Sequence, residues 1–323
     1  MREWAGHAHG SPLYAHLAEV VASSDELLRV MNRVENWPPP NVFFAAVHYL
    51  LMKDPGAALA AFFPSLTSDP KPTATVGDPF QDFVLHHENE IVALGRTRFT
   101  QTNECRRCVA ILPAIWETAF TRFHLVDLGT SAGLNLALDR YGYRWNDLEW
   151  RPEADLVLET ESRGESPVPG DLEVLSRIGL DLHPVDSADP DDRLWLDALI
   201  WPEHHERRIR LRSALDVAAT VEIEFVGGSA LETLLPTLDG LPGAAPAVVV
   251  NSFTLNQFTL DQRDRVAELV EQARQRRPVA RVSLEYMDRE QRWPRLMVDD
   301  GSGLRLIGEA HPHGKWVELY ARP

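Results

Sequence analysis

The segment His124-Leu125-Val126-Asp127-Leu128-Gly129-Thr130-Ser131-Ala132-Gly133-Leu134-Asn135 concentrates residue types that could hold a ligand. An apolar run ends in an acid, Asp127, and passes through a loop of small residues into helical spacing. At such a junction free backbone amides and the positive end of a helix face a ligand, and only small side chains permit a close approach. The dinucleotide fingerprint G-x-G-x-x-G fails, because Ser131 and Leu134 occupy its second and third glycine positions, and the P-loop pattern lacks its Lys-Ser/Thr. The plain alternative is a tight strand–helix turn with no ligand.

A second group crowds donors and acceptors just upstream. Gln101, Asn103, Glu104 and Arg107 stand at a predicted helix start, where they either line a ligand pocket or form an elaborate cap. Arg207, Arg208, Arg210 and Arg212 could recognise a carboxylate or phosphate, but Glu203–Arg207 and Glu206–Arg210 are i,i+4 pairs of an ordinary solvated face, and that reading is preferred. Cys105 and Cys108, the two cysteines of the chain, are spaced C-x-x-C. No second Cys or His pair is placed to complete a four-ligand zinc site, and residues three apart share a helix face, so two half-buried thiols without metal are expected.

Two kinds of element must position these residues. The first ~120 residues read as helices punctuated by prolines, without convincing period-2 alternation. Ser11-Pro12 and Asp54-Pro55 read as helix starts, Trp37-Pro38-Pro39-Pro40 must break helix, and Val42 to Met52 is apolar nearly all round, as a buried helix is. Pro64 to Pro79 reads as a loop. From Phe123 apolar runs alternate with helical segments, the signature of βαβ units and a parallel sheet. Strands are predicted at 123–128, 177–182, 221–226, 247–251 and 279–286, with a closing antiparallel edge hairpin near 304–307 and 316–320. Helices are predicted at 103–120, 135–141, 203–219, 230–235 and 260–276. The expected organisation is an α-helical cap or lid over residues 1–120 and an α/β domain over residues 121–323.

Bulk properties exclude some partners. With 323 residues, 44% hydrophobic and 25% charged, the chain has ordinary globular composition. A formal net charge of -16 sets its field against nucleic-acid phosphates and anionic lipid. No stretch approaches the ~18 to 20 apolar residues of a membrane span, and Met1-Arg2-Glu3-Trp4 lacks an apolar signal core, so a soluble cytoplasmic protein acting on a small molecule is expected.

The loop resembles the first motif of class I S-adenosylmethionine-dependent methyltransferases, Asp/Glu-x-Gly-x-Gly-x-Gly. Asp127, Gly129 and Gly133 match, and Ser131 replaces the middle glycine. The resemblance implies a Rossmann-like sheet, S-adenosylmethionine as cofactor, and binding by the loop through Asn135. It also implies that Asp181, ending the second strand, binds the ribose hydroxyls. Where the third strand's end usually carries an acid, this chain has Gly227-Gly228-Ser229-Ala230, leaving Ser229 a neutral hydrogen bond; Asn251 and Ser252, ending the fourth, stand where the methyl acceptor is touched. Plain alternatives are an Asp capping a turn and an Asn closing a strand. Where the acceptor must lose a proton, His311, His313 and Glu285 are the candidate bases, imidazole being favoured by its near-neutral pKa, although His-Pro-His-Gly also suits a plain turn. A degenerate adenosyl-binding or scaffold protein is the rival reading.

Several longer phrases together resemble an uncharacterised family, domain of unknown function 2332. They are Thr100-Gln101-Thr102-Asn103-Glu104 with Arg107, Gly129 to Asn135, Arg177 to Asp186, Trp195-Leu196, Trp201-Pro202, Arg207 with Arg210-Leu211-Arg212, and His313-Gly314-Lys315-Trp316. That resemblance spans nearly the whole chain and implies no chemistry.

Overall fold

The computed structural model describes residues 1, 4, 6, 10–288 and 290–321; Arg2 and Glu3 of the opening segment lie outside these. The chain is α/β and divides into two units, Met1–Thr102 with Ser187–Arg212 and Asn103–Asp186 with Ser213–Pro323. No described helix is long and apolar enough to cross a membrane.

The first unit is helical: α1 (Pro12–Ala22), α2 (Asp25–Met31), α3 (Pro39–Lys53), α4 (Gly77–His86) and α5 (Glu88–Thr97). After α6 (Cys108–Trp116) in the other unit, α7 (Pro190–Ala198) and the start of α8 (His205–Ala218) return to it. Ser11 caps α1 by accepting the Tyr14 N–H at 3.1 Å, and Pro12 occupies a position that needs no donor. Of the triple proline only Pro38 lies outside a helix, as the N-cap of α3; Pro39 and Pro40 form its first turn, and its residues Val42–Tyr49 are buried all round. Asp54-Pro55 opens no α-helix, because the Asp54 N–H still closes the last turn of α3 on the Leu50 carbonyl; a 3-10 turn, Ala58–Phe62, follows. Leu17, Phe43, Phe44, Phe63, Phe80 and Trp195 share one core, with Tyr14 stacked on Phe44 at 4.8 Å. The returning segment is anchored by polar bonds as well. The Trp195 indole donates to the Phe99 carbonyl at 2.9 Å, and buried Asp197 pairs with Arg208 at 2.8 Å and Arg212 at 2.5 Å.

The second unit is built on an 11-stranded, mostly parallel mixed sheet. Its strands are β1 (Arg122–Leu128), β2 (Gly142–Trp145), β3 (Leu148–Trp150), β4 (Val157–Gly164), β5 (Glu173–Asp181), β6 (Glu224–Gly227), β7 (Ala247–Ser252), β8 (Val279–Glu285), β9 (Arg295–Asp299), β10 (Leu304–Ala310) and β11 (Trp316–Leu319). The spatial order is β3-β2-β4-β11-β10-β9-β8-β7-β1-β5-β6. The five predicted parallel strands are therefore neighbours, β6-β5-β1-β7-β8, and the order reverses between β1 and β7. The predicted closing hairpin is real, but it is not at an edge. β11 takes β4 as a parallel partner, and β9, which joins β8 antiparallel, was not foreseen.

Alternation along the strands assigns the two faces. Val126 and Leu128 of β1, Val249 of β7 and Val279 of β8 pack against α9 (Ala230–Gly240) and α10 (Leu260–Arg274). Asp127 and Ser252 therefore point to the opposite face, whereas Asn251 and Glu285 share the face of α9 and α10.

Two predicted helices are shorter than expected. Between 135 and 141 there is only a 3-10 turn, Leu134–Ala137, because side-chain hydroxyls take carbonyls: Tyr141 donates to Leu134 at 2.8 Å and Tyr143 to Leu138 at 2.6 Å. Between 103 and 120 a 3-10 turn, Cys105–Arg107, leads into α6, which lies on β4, β8 and β9; the unit boundary thus follows Thr102 and not residue 120.

Candidate functional site

The glycine loop follows β1 where the strand order reverses. Its amides, expected to be free for a ligand, all have partners within the chain. Gly129 and Thr130 donate to the Leu180 carbonyl at 2.7 and 3.3 Å, Ser131 to Asp181 at 2.8 Å, Ala132 to Asn103 at 3.3 Å, and Gly133 to the Thr130 carbonyl at 2.9 Å. The glycines themselves are required by packing. Gly129 has φ +72 and an added Cβ would lie 2.2 Å from the Thr254 hydroxyl; Gly133 has φ +74 with Ile223 and Phe225 at 3.0 and 3.1 Å. With no α-helix after the loop, there is no helix dipole to attract an anion.

Carboxylates, by contrast, remain able to accept. Asp181 takes one N–H on each oxygen, from Ser131 and from His183 at 2.9 Å, leaving lone pairs on both. Asp127 is buried, and Asn135 donates to its Oδ2 at 3.3 Å and to the Ser252 hydroxyl at the same distance. Its Oδ1 and the neighbouring Thr130 hydroxyl are buried without a well-formed hydrogen bond. Burial pushes the Asp127 carboxyl up to about 7, against the pull of Thr130 and Asn135.

The upstream group divides. Asn103 spans the loop, its amide donating to the Ser131 hydroxyl at 2.8 Å. Glu104 and Arg107 are buried in the same unit, and the Arg107 guanidinium lies 4.0 Å from the centre of the Phe253 ring. Gln101 belongs to the helical unit. So do Arg207, Arg208, Arg210 and Arg212, of which Arg208 and Arg212 bind Asp197.

The late candidates take different roles. Glu285 Oε1 accepts from the Asn251 amide and the Thr254 and Leu255 N–H groups, and Oε2 from the Asn256 N–H, all within 3.1 Å. Burial raises its carboxyl while these donors oppose the rise, and its position buckles the turn after β7. Asn251 also accepts from Ser283 at 2.8 Å, so it belongs to the same buckle. Burial and the nearby His313 press His311 down to about 4. Ser229 is the N-cap of α9, accepting the Leu231 N–H at 3.3 Å, which is the plain role of such a residue. Both cysteines are buried and outside any disulfide; the Cys108 thiol donates to the Asn135 side-chain Oδ1 at 3.6 Å, and burial raises its pKa well above the ordinary thiol value.

Sequence reasoning missed Thr254 and Phe253. The Thr254 hydroxyl donates to the Leu128 carbonyl at 2.8 Å and fills the space against Gly129. Phe253 has φ +59, an uncommon conformation for an aromatic residue that no local pattern announces.

The family model described as "Uncharacterized protein conserved in bacteria (DUF2332)" matches residues 1–319. No curated protein matches the chain.

Proposed function

We propose that this chain, which belongs to the bacterial family DUF2332, binds S-adenosylmethionine on its sheet unit and transfers the methyl group to a small acceptor. The observation that carries this reading is the convergence, where the order reverses between β1 and β7, of a loop whose amides are satisfied and two carboxyl groups with lone pairs to spare. In open α/β sheets that position is where ligands bind. A site short of donors and supplied with acceptors disfavours the phosphates of nucleotides. It suits a ligand that presents hydroxyl and ammonium hydrogens and a sulfonium charge. On this reading Asp181 at the end of β5 accepts from ribose hydroxyls, and Asp127, Asn135 and Ser252 supply further polar atoms on the opposite face from α9 and α10. On this reading the fold is of the Rossmann-like methyltransferase type.

Methyl transfer asks mainly for alignment, because the sulfonium already activates the methyl group and holding the partners in line removes entropic barrier. The chain's share is to orient both molecules and accept a proton where one must leave.

Calorimetry and thermal shift with S-adenosylhomocysteine test the reading. Binding is expected; no heat and no shift at about 1 mM ligand, a concentration that detects even weak sites, with the protein folded, overturns it. The filled space beside Gly129 and Gly133 and the capping role of Ser229 favour the second reading, a non-catalytic protein on the same scaffold. That reading predicts no binding.

A further inference from the structure

The sheet is wider than the helices that cover it. α9 and α10 bury Val249 of β7 and Val279 of β8 on one face, and α6 lies on the other, where the Trp145 indole donates to its Val109 carbonyl at 2.8 Å. Register carries the first of these faces outward. Arg281, Asp299 and Leu304 are cross-strand neighbours on β8, β9 and β10, as are Ser283, Met297 and Leu306. Leu304 and Leu306 therefore stand on the side of α9 and α10, yet they are 53% and 45% exposed. Tyr320, whose N–H bonds the Ile307 carbonyl at 2.9 Å beside them, is 40% exposed. Three large apolar side chains thus form one open patch on the sheet face, an arrangement that marks interaction surfaces.

The charges next to the patch are mismatched within the chain. Glu285, Arg295, Glu309, Glu318 and Arg163 follow one another in register across β8, β9, β10, β11 and β4. Glu309 and Glu318 are direct neighbours, and like charges so placed repel. Arg163 does not relieve them, because it pairs with Glu161 at 2.9 Å and lies 4.5 Å over the Trp316 ring. Among the described residues Arg295, Glu309 and Glu318 take part in no ion pair or side-chain hydrogen bond. Tyr320 registers all three: burial raises its phenol above the ordinary value, Glu309 and Glu318 add to the rise, and Arg295 opposes it.

We propose that this face is where two copies of the chain pair about a two-fold axis, with Leu304, Leu306 and Tyr320 at the dry centre and Arg295 of each copy meeting the partner's Glu309 and Glu318. A two-fold interface applies one patch to itself, so the patch must carry apolar groups at its middle and unpaired charges of both signs around them. This one carries both. A basic partner would satisfy the two glutamates and repel Arg295, and an acidic partner would do the reverse. The edges of the sheet offer no competing route, because β3 has three residues and β6 four, too short to template a strand of another chain.

Sedimentation equilibrium of the full chain tests the pairing, with thermal unfolding as the check on fold. The mass of two chains is expected at about 50 µM, a concentration that populates even weak specific dimers. Leu306→Glu places a charge at the centre of the patch and should weaken association about tenfold or more, while the unfolding temperature stays close to that of the unsubstituted chain because the position is exposed. Two reversed chains give a sharper arm. Arg295→Glu makes the three unpaired charges all acidic, and Glu309→Arg with Glu318→Arg makes them all basic. Each reversed chain alone should sediment as one chain, and an equimolar mixture as two. A single-chain mass for the unsubstituted protein at about 100 µM overturns the proposal and leaves the face to a different partner. So does a dimer that Leu306→Glu leaves intact, and so does a mixture of the reversed chains no heavier than either alone. If Leu306→Glu does not fold, the unsubstituted and reversed chains decide.

Discussion

Gly129→Ala should destabilise the sheet unit severely, and the structure says by how much. At φ +72 an L-residue costs roughly 1–2 kcal/mol more than glycine. The added methyl would lie 2.2 Å from Thr254 Oγ1 and 2.7 Å from its Cγ2, so Thr254 must move. That movement breaks its 2.8 Å bond to the Leu128 carbonyl, worth about 1 kcal/mol, and forces repacking at about 1–3 kcal/mol. The expected loss is roughly 3–6 kcal/mol, a fall in Tm of about 6–24 °C for a unit of this size. Urea denaturation of Gly129→Ala, Thr254→Ala and the double variant measures it as a cycle. Thr254→Ala alone should lose about 1 kcal/mol, and the double variant should be more stable than additivity demands by about 2–4 kcal/mol, because the hydrogen bond is lost only once and the clashing atoms are gone while the backbone strain remains. Additive losses would mean that only the backbone angle requires glycine, and a loss below about 1 kcal/mol for Gly129→Ala would refute both parts of the reasoning.

Two further outcomes follow from buried charge. Asp127 titrates at about 7 in the folded chain against 3.8 ordinarily, so the folded state holds the extra proton between those values and stability falls as pH rises through them. Asp127→Asn should therefore gain stability over the unsubstituted chain above pH ~7 and not at pH ~4; urea midpoints showing the same difference at both pH values would contradict the assignment. In the helical unit Asp197→Asn leaves the Arg208 side chain, 6% exposed, without its anion and should cost about 3–5 kcal/mol, whereas a paired Asp197→Leu, Arg208→Met variant should recover most of that. Equal destabilisation by the single and paired changes would show that the ion pair itself holds the unit.

The legible parts were those with a strong local cause. Ser11-Pro12, the triple proline and the apolar run from Val42 set helix boundaries before any tertiary contact exists, and the run Ala247–Val250 can only be a buried strand. What was missed depends on partners distant in sequence. β4 reads Val-Leu-Glu-Thr-Glu-Ser-Arg-Gly, too polar to stand out until β11 and β2 flank it, and the four residues of β2 are shorter than any periodicity can register. The helix expected after the glycine loop fails through tyrosine hydroxyls seven and five residues beyond the carbonyls they capture. The site was half visible. Acids and amides at strand ends were found by position, but which oxygens are already occupied, as at Glu285 and Ser229, is a property of the assembled turn alone.

Neither unit is encoded by one continuous stretch of chain. During synthesis the first five helices emerge without Trp195 and Ala198, which belong to their core, and without Arg208 and Asp197. Until residue 212 has been made, the helical unit carries an open apolar seam. By then β1 and β5 have been produced, while β7, the partner on the other side of β1, has not. The nascent chain therefore holds two incomplete cores at once, an exposed helical one and an exposed sheet edge, and a ribosome stalled anywhere between residues 102 and 212 presents a species with strong reason to aggregate. Truncations at 102 or 186, the places where a domain boundary invites a cut, would capture that same unfinished state.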